Sequence, residues 1–251
     1  MTTNALIYLV LGGAGFGLLG AAIAVGGAAA GTALLKRVRT PLIPPSPSES
    51  KPNPDRQDFV RSPATVRALA GWITVTLPVV LTVGTLMYGE TLPSSFGGYH
   101  QGGLQQILIG GFCALGVLLW FYQGSNTAEN TRTDLTAVCA FGVGFFPSFE
   151  SGYGPFHVTF LLLFLGLSAY SSLFSFTTSA TLTRRVQIVS GVTMVLSLVL
   201  IILVWLLDLG AGELRPLLWL ESLAVMATGV SWLANSREVR DERSLSKEVS
   251  T

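Results

Sequence analysis

Long runs without charge constrain this chain most. Ala5–Leu35, Phe156–Thr178 and Val186–Leu207 each exceed twenty residues and contain no Asp, Glu, Lys or Arg. A helix crossing the hydrocarbon core needs about 20 apolar residues. Four further stretches follow the same pattern: Leu69–Tyr88, Leu104–Tyr122, Leu135–Phe149 and Pro216–Ala234, the last carrying Glu221. Leu135–Phe149 is the shortest. It must either borrow residues before Asp134 or sit inside the bundle away from lipid. The expected fold is therefore an all-α polytopic transmembrane bundle of seven helices: a six-helix core and one N-terminal anchor helix. Only 12% of the residues are charged, against about a quarter in a soluble domain. That is too little charge to coat a water-soluble globule of this size.

The chain divides into four parts on this reading. Residues 1–35 form the anchor and residues 36–63 a Pro-rich linker. Residues 64–236 form the six-helix membrane core, and 237–251 a charged tail expected to fray. The linker holds Pro41, Pro44, Pro45, Pro47, Pro52, Pro54 and Pro63. Proline lacks an N–H and fixes φ, so the stretch reads as extended and solvated. The first run is too long for a signal-peptide core, and Lys36, Arg37 and Arg39 follow it as a stop-transfer cluster.

The basic residues orient the bundle. Lys36, Arg37, Arg39, Lys51, Arg56, Arg61 and Arg67 precede the second span. Arg132 follows the third, Arg184 and Arg185 follow the fifth, and Arg237, Arg240, Arg243 and Lys247 lie in the tail. With seven spans all of these share one side, and only Arg215 lies opposite. The positive-inside rule then predicts a multi-pass protein of the cell membrane, with the N-terminus outside and the C-terminus cytoplasmic.

The expected partner is the lipid bilayer. Gly13 with Gly17, and Gly27 with Gly31, are small-xxx-small pairs that suit a homo-oligomeric helix contact. A net charge of +1 gives no reason to expect nucleic acid. No cofactor is expected. Walker A, G-x-S-x-G, C-x-x-C and H-E-x-x-H patterns do not occur, and no lysine falls in a span to hold retinal. Two histidines are too few for a ceramidase-like zinc centre. Cys113 and Cys139 read as small packing residues. Trp72, Trp120 and Trp232 read as an interfacial belt, and Asp134 as a cap for the fourth span.

Candidate site residues are the polar groups expected in the outer half of the bundle: Glu221, His157, Tyr99, His100 and Gln106, with Glu150 and Tyr153 in a nearby loop. A carboxylate within a span is costly unless it has a partner. Glu221 is therefore expected to face the interior, with His157 its best partner and Arg215 a more distant one. The leading expectation is a non-enzymatic protein whose outer-facing pocket binds or passes a small solute or lipid. One alternative is a membrane-embedded hydrolase with His157 and Glu221 as acid and base. Another is a structural subunit that assembles through the Gly-rich first helix.

Several segments resemble the DUF998-like family of bacterial multi-pass membrane proteins. They are Gly98-Tyr99-His100, Gly116-Val117-Leu118-Leu119 leading to Tyr122-Gln123-Gly124, and Phe141-Gly142-Val143-Gly144-Phe145-Phe146-Pro147. Phe156-His157, Trp219-Leu220-Glu221-Ser222-Leu223-Ala224 and Gly229-Val230-Ser231-Trp232-Leu233 complete the set. The resemblance covers about residues 66–235. It implies six spans and no established activity. Where that pattern has an Arg-Asp pair, this chain has Gln105 and Gln106.

Overall fold

The computed structural model describes residues 63–124, 126–147, 154–175, 181–207 and 215–249. Six α-helices are found there: α1 Pro63–Met87, α2 Gln105–Trp120, α3 Thr127–Phe145, α4 Gly154–Tyr170, α5 Thr181–Leu206 and α6 Pro216–Val249. The described residues contain no strand. The N-terminal anchor, with Gly13, Gly17, Gly27 and Gly31, and the Pro-rich linker lie outside them, as do Glu150 and Tyr153.

The helices pack as a ring. Each touches its sequence neighbours, and α6 closes against α1. Successive helices run in opposite directions, so one end of the bundle gathers Arg67, Arg132, Arg184 and Arg185. We call it the arginine end. The other, the histidine end, gathers His100, His157 and Glu221. Between α1 and α2 the chain folds back into the histidine end. There a 3-10 turn, Phe96–Gln101, buries Phe96, Tyr99 and His100. Edge-to-face contacts link Phe96 to Phe112 (6.1 Å) and Phe112 to Phe164 (5.9 Å), so this turn is anchored in the bundle's aromatic core.

Four helical segments are long and apolar enough to cross a membrane: Pro63–Met87, Phe156–Phe174, Leu182–Leu206 and Pro216–Ser236. α2 is apolar but only 16 residues long, about 24 Å at the helical rise. The short fourth stretch does borrow residues before Asp134, since α3 starts at Thr127.

α5 shows why the bundle suits lipid. Besides Gly191, its buried positions are Gln187, Ser190, Met194, Ser197 and Ile201, which recur at alternating three- and four-residue steps, and three of those five are polar. Its exposed face is Ile188, Val189, Val192, Val195, Leu196, Val199, Leu200, Ile202 and Leu203. A helix in water carries the reverse polarity. Valine and leucine outside, serine and glutamine inside, is the order that hydrocarbon selects.

Three expectations are corrected here. The cap of α3 is Asn126, whose side chain accepts from the Glu129 N–H at 2.9 Å. Asp134 lies two turns further in, too far to meet the unpaired N–H groups of the first turn. Trp232 is buried edge-on against Tyr122 rather than lying in a belt, whereas Trp72 is exposed. The tail does not fray at Ser236: α6 continues to Val249. Residues 237–249 contain no Gly or Pro and are rich in Arg, Glu and Lys, which favour helix.

α1 and α6 meet backbone to backbone at Gly71 and Gly229. A Cβ on Gly229 would lie 2.5 Å from the Gly71 carbonyl oxygen and from Thr74 Oγ1. A Cβ on Gly71 would lie 2.9 Å from the Gly229 oxygen. Gly110, by contrast, has open space at its Cβ position. Gly229→Val is expected to cost about 1–3 kcal/mol by overpacking, and Gly110→Ala to cost nothing comparable. Thermal unfolding of both variants in detergent checks this. Equal midpoints would mean that the helix pair can move apart without loss.

Candidate functional site

At the histidine end, Glu221 is buried one and a half turns into α6. Its Oε2 accepts the backbone N–H of Phe96 at 2.5 Å. The expected pairing with His157 is not made, and among the described residues no ion pair joins Glu221 to Arg215. A loop amide reaches the carboxylate first because the chain after α1 folds inward over α6. Glu221 thus anchors the 3-10 turn to the last helix.

His157 opens α4 and His100 closes the 3-10 turn, and the two buried rings meet edge-on with centroids 5.4 Å apart. Each imidazole faces a carbonyl on the C-terminal part of α3 or just past it. His157 Nδ1 lies 2.8 Å from the Phe146 oxygen, and His100 Nε2 lies 3.1 Å from the Val143 oxygen. A carbonyl can only accept, so both of these nitrogens carry the proton. The histidines therefore satisfy carbonyls at the end of α3, which its own helix leaves open. Burial holds the His100 imidazole below its usual range, and its bond to Val143 opposes that shift.

Tyr99 is buried between these elements, edge-on to Phe96 at 5.8 Å. Its Oη has no hydrogen-bond partner among the described residues. It lines a cavity of about 60 Å³ with Thr85, Glu90, Thr91, Pro93, Gly98, Gly102 and Leu104. Gln106 does not join this group. It is exposed on α2, along a shallow groove of about 310 Å³ shared with Ile73, Leu77 and Gly110. Four of the five candidate residues are therefore buried at one end. Among the described residues no three His, Cys, Asp or Glu side chains are grouped to hold a metal.

The arginine end contains a cluster that the sequence reading did not find. Arg67 Nη2 donates to Glu129 Oε1 at 2.9 Å, and both side chains are buried. The Tyr122 hydroxyl donates to the same oxygen at 2.9 Å and also accepts from Arg67 Nη2. The guanidinium lies 5.0 Å from the Tyr122 ring centroid, and the Trp232 ring meets the Tyr122 ring edge-on at 5.5 Å. Burial, opposed by the Arg67 charge, pushes the Tyr122 phenol above its ordinary range, so it remains a donor. Gly124 makes room: a Cβ there would lie 2.4 Å from Glu129 Cδ. One signal was readable. Asn126-Thr127-Ala128-Glu129 has the capping-box spacing. Nothing local, however, links Glu129 to Arg67, which lies 62 residues earlier.

No protein-family model matches the chain, and neither the curated proteins nor the solved structures contain a match to it.

Arg67→Leu removes the Arg67 guanidinium from the buried Glu129 carboxylate and is expected to cost about 3–5 kcal/mol, whereas Arg67→Met with Glu129→Leu together should recover most of the loss. Thermal or denaturant unfolding of the single and double variants reads this directly. His100 supplies a pH dependence. Its pKa is depressed on folding, so below its unfolded value of 6.5 the unfolded chain binds more protons than the folded one. Stability contributed through His100 is therefore complete above pH 6.5 and is lost as pH falls below it. His100→Gln should flatten the acid side of the profile; an unchanged slope would mean that this ring does not titrate there.

Proposed function

We propose that this chain is a non-enzymatic membrane protein that binds or passes a small polar solute at the histidine end. The observation that supports this reading is the cavity beside Tyr99. Its lining offers the Glu90 carboxylate and the hydroxyls of Thr85, Thr91 and Tyr99. Such oxygens suit a solute that donates hydrogen bonds, an ammonium or a small hydroxyl compound. A volume of about 60 Å³ has room for a few water-sized groups and excludes a lipid headgroup. Lipid chains fit instead the apolar lateral groove of about 450 Å³ between Pro78–Val83 and Trp219–Met226.

The arginine end faces the cytoplasm in this proposal, because Arg67, Arg132, Arg184 and Arg185 lie there and Arg215 at the other end. The resemblance of residues 66–235 to DUF998-like proteins belongs to the same proposal. The hydrolase alternative has less support: His157 bonds to Phe146 and Glu221 to Phe96, and no hydrogen bond joins them. Assembly through the first helix concerns residues outside those described.

Two measurements test the reading. Ammonium and small alcohols, titrated calorimetrically into the detergent-solubilised protein, should show saturable binding. Tyr99→Phe or Glu90→Gln should weaken it about tenfold, the equivalent of one lost hydrogen bond. An absence of saturable binding in the wild type removes the solute reading. For orientation, Ser246→Cys on intact cells should resist an impermeant thiol reagent. Ready labelling would invert the bundle.

A further inference from the structure

A second polar group lies inside the bundle, away from the cavity at the histidine end. Gln187, on α5, is completely buried, and neither Nε2 nor Oε1 of its amide has a hydrogen-bond partner among the described residues. Ser168 on α4 is likewise buried with its hydroxyl unpartnered. Ser172, one turn beyond Ser168, donates its Oγ to the Gln187 backbone oxygen at 2.7 Å and pairs with Ser231 Oγ of α6 at 2.7 Å. Ser190 is buried on the same face of α5, one turn beyond Gln187.

The backbone is altered at the same place. Residues Ser171–Ser175, which carry Ser172, form a π-turn at the end of α4. Such turns insert a residue into the helix and recur at functional sites. An exposed glutamine would be satisfied by water, but a buried primary amide in a membrane bundle needs both an acceptor for its N–H groups and a donor for its oxygen.

We infer that the α4–α5–α6 seam around Gln187 binds a small uncharged molecule that both donates and accepts hydrogen bonds, either water or a solute of the amide or polyol class. The chemistry of the lining selects this class. A bare cation would match Gln187 Oε1 and the serine oxygens but leave Nε2 unmatched. An anion would match Nε2 and leave the amide oxygen facing like charge. Ser168, Ser172, Gln187, Ser190 and Ser231 include no ionisable side chain, and Arg184, one turn before Gln187 on α5, already donates to the Leu173 oxygen of the π-turn at 2.8 Å. The site is independent of the solute reading at the histidine end, since it shares no lining residue with that cavity.

Water-edited solid-state NMR of the full chain in phosphatidylcholine proteoliposomes tests this. The protein is labelled with ¹⁵N at glutamine side chains, and the Gln187 signal is assigned by its loss in Gln187→Leu. Magnetisation from water should reach the buried Gln187 amide as fast as it reaches exposed Gln105. The measurement is then repeated with acetamide or glycerol, carrying their carbon-bound protons, in the buffer. If transfer arises from those protons and the water signal falls, a solute occupies the seam; if the water signal is unchanged, water does. Either result supports the site. No transfer to Gln187 from water or from either solute, while Gln105 responds normally, overturns it.

Discussion

A helix in hydrocarbon must satisfy its own backbone, and its side chains then sort in the opposite sense from those of a soluble helix. This constraint shapes the rest of the bundle. α5 turns Gln187, Ser190 and Ser197 inward and presents valine, leucine and isoleucine outward. Burial of apolar area cannot drive such helices together, because lipid tails are as apolar as leucine. Close approach and interior hydrogen bonds must do so. The Gly71–Gly229 contact supplies the first, and Ser172, which bonds to both α5 and α6, supplies the second.

The Arg67–Glu129–Tyr122 cluster follows from the same sorting. Arg67 stands one turn into α1, and Glu129 stands in the first turn of α3. Both lie at an end of the bundle, where side chains carrying charge can stay near water while their contacts are buried. The carboxylate also lies near the N-terminus of α3, where the helix dipole favours negative charge. A buried pair of this kind adds little net stability over apolar packing. Its effect is on register: only one rotation of α1 brings Arg67 to Glu129 while Gly71 faces Gly229. The pair and the glycine contact therefore specify the same arrangement of α1 from two sides.

Much of this architecture was legible in the sequence, and the reason is physical. Uncharged runs of about twenty residues have few alternatives, so each of the six expected core spans overlaps a helix of the structure, while several ends differ by five residues or more: α1, α3 and α5 start earlier and α6 runs on to Val249. The borrowed start of α3 was also readable, since Leu135–Phe149 alone is too short. What was not readable depended on contacts between distant residues. Arg67 reads only as charge preceding a span, and Glu129 carries no sequence signal of a distant partner, because neither stands inside an apolar run. Glu221 was recognised as needing a partner, but a backbone N–H has no signature in the sequence, and histidine was the natural side-chain choice. Trp232 is ambiguous in the sequence for a similar reason. Its position near a span end is the same for a belt residue and for a core residue, and Tyr122 decides between them only after folding.

The bond from Phe96 to Glu221 links the two features of the histidine end. Pro93, Gly98 and Tyr99, on either side of Phe96, form part of the cavity wall. Gly102 and Leu104 continue that segment toward α2, and the rest of the wall, Thr85, Glu90 and Thr91, belongs to the end of α1 and the chain just beyond it. The cavity is therefore framed by one segment tied to α6 through Glu221 and another continuous with α1. Gly71–Gly229 fixes α1 against α6 some four turns away, toward the arginine end. Any occupant of the cavity that displaces Tyr99 must pull on a turn whose N–H, three residues earlier, is held by a buried carboxylate. A rearrangement there breaks that hydrogen bond and leaves Glu221 without its partner. The cost of leaving that buried carboxylate unpaired makes the cavity's shape a property of the whole α1–α6 pair, rather than of the loop that lines it.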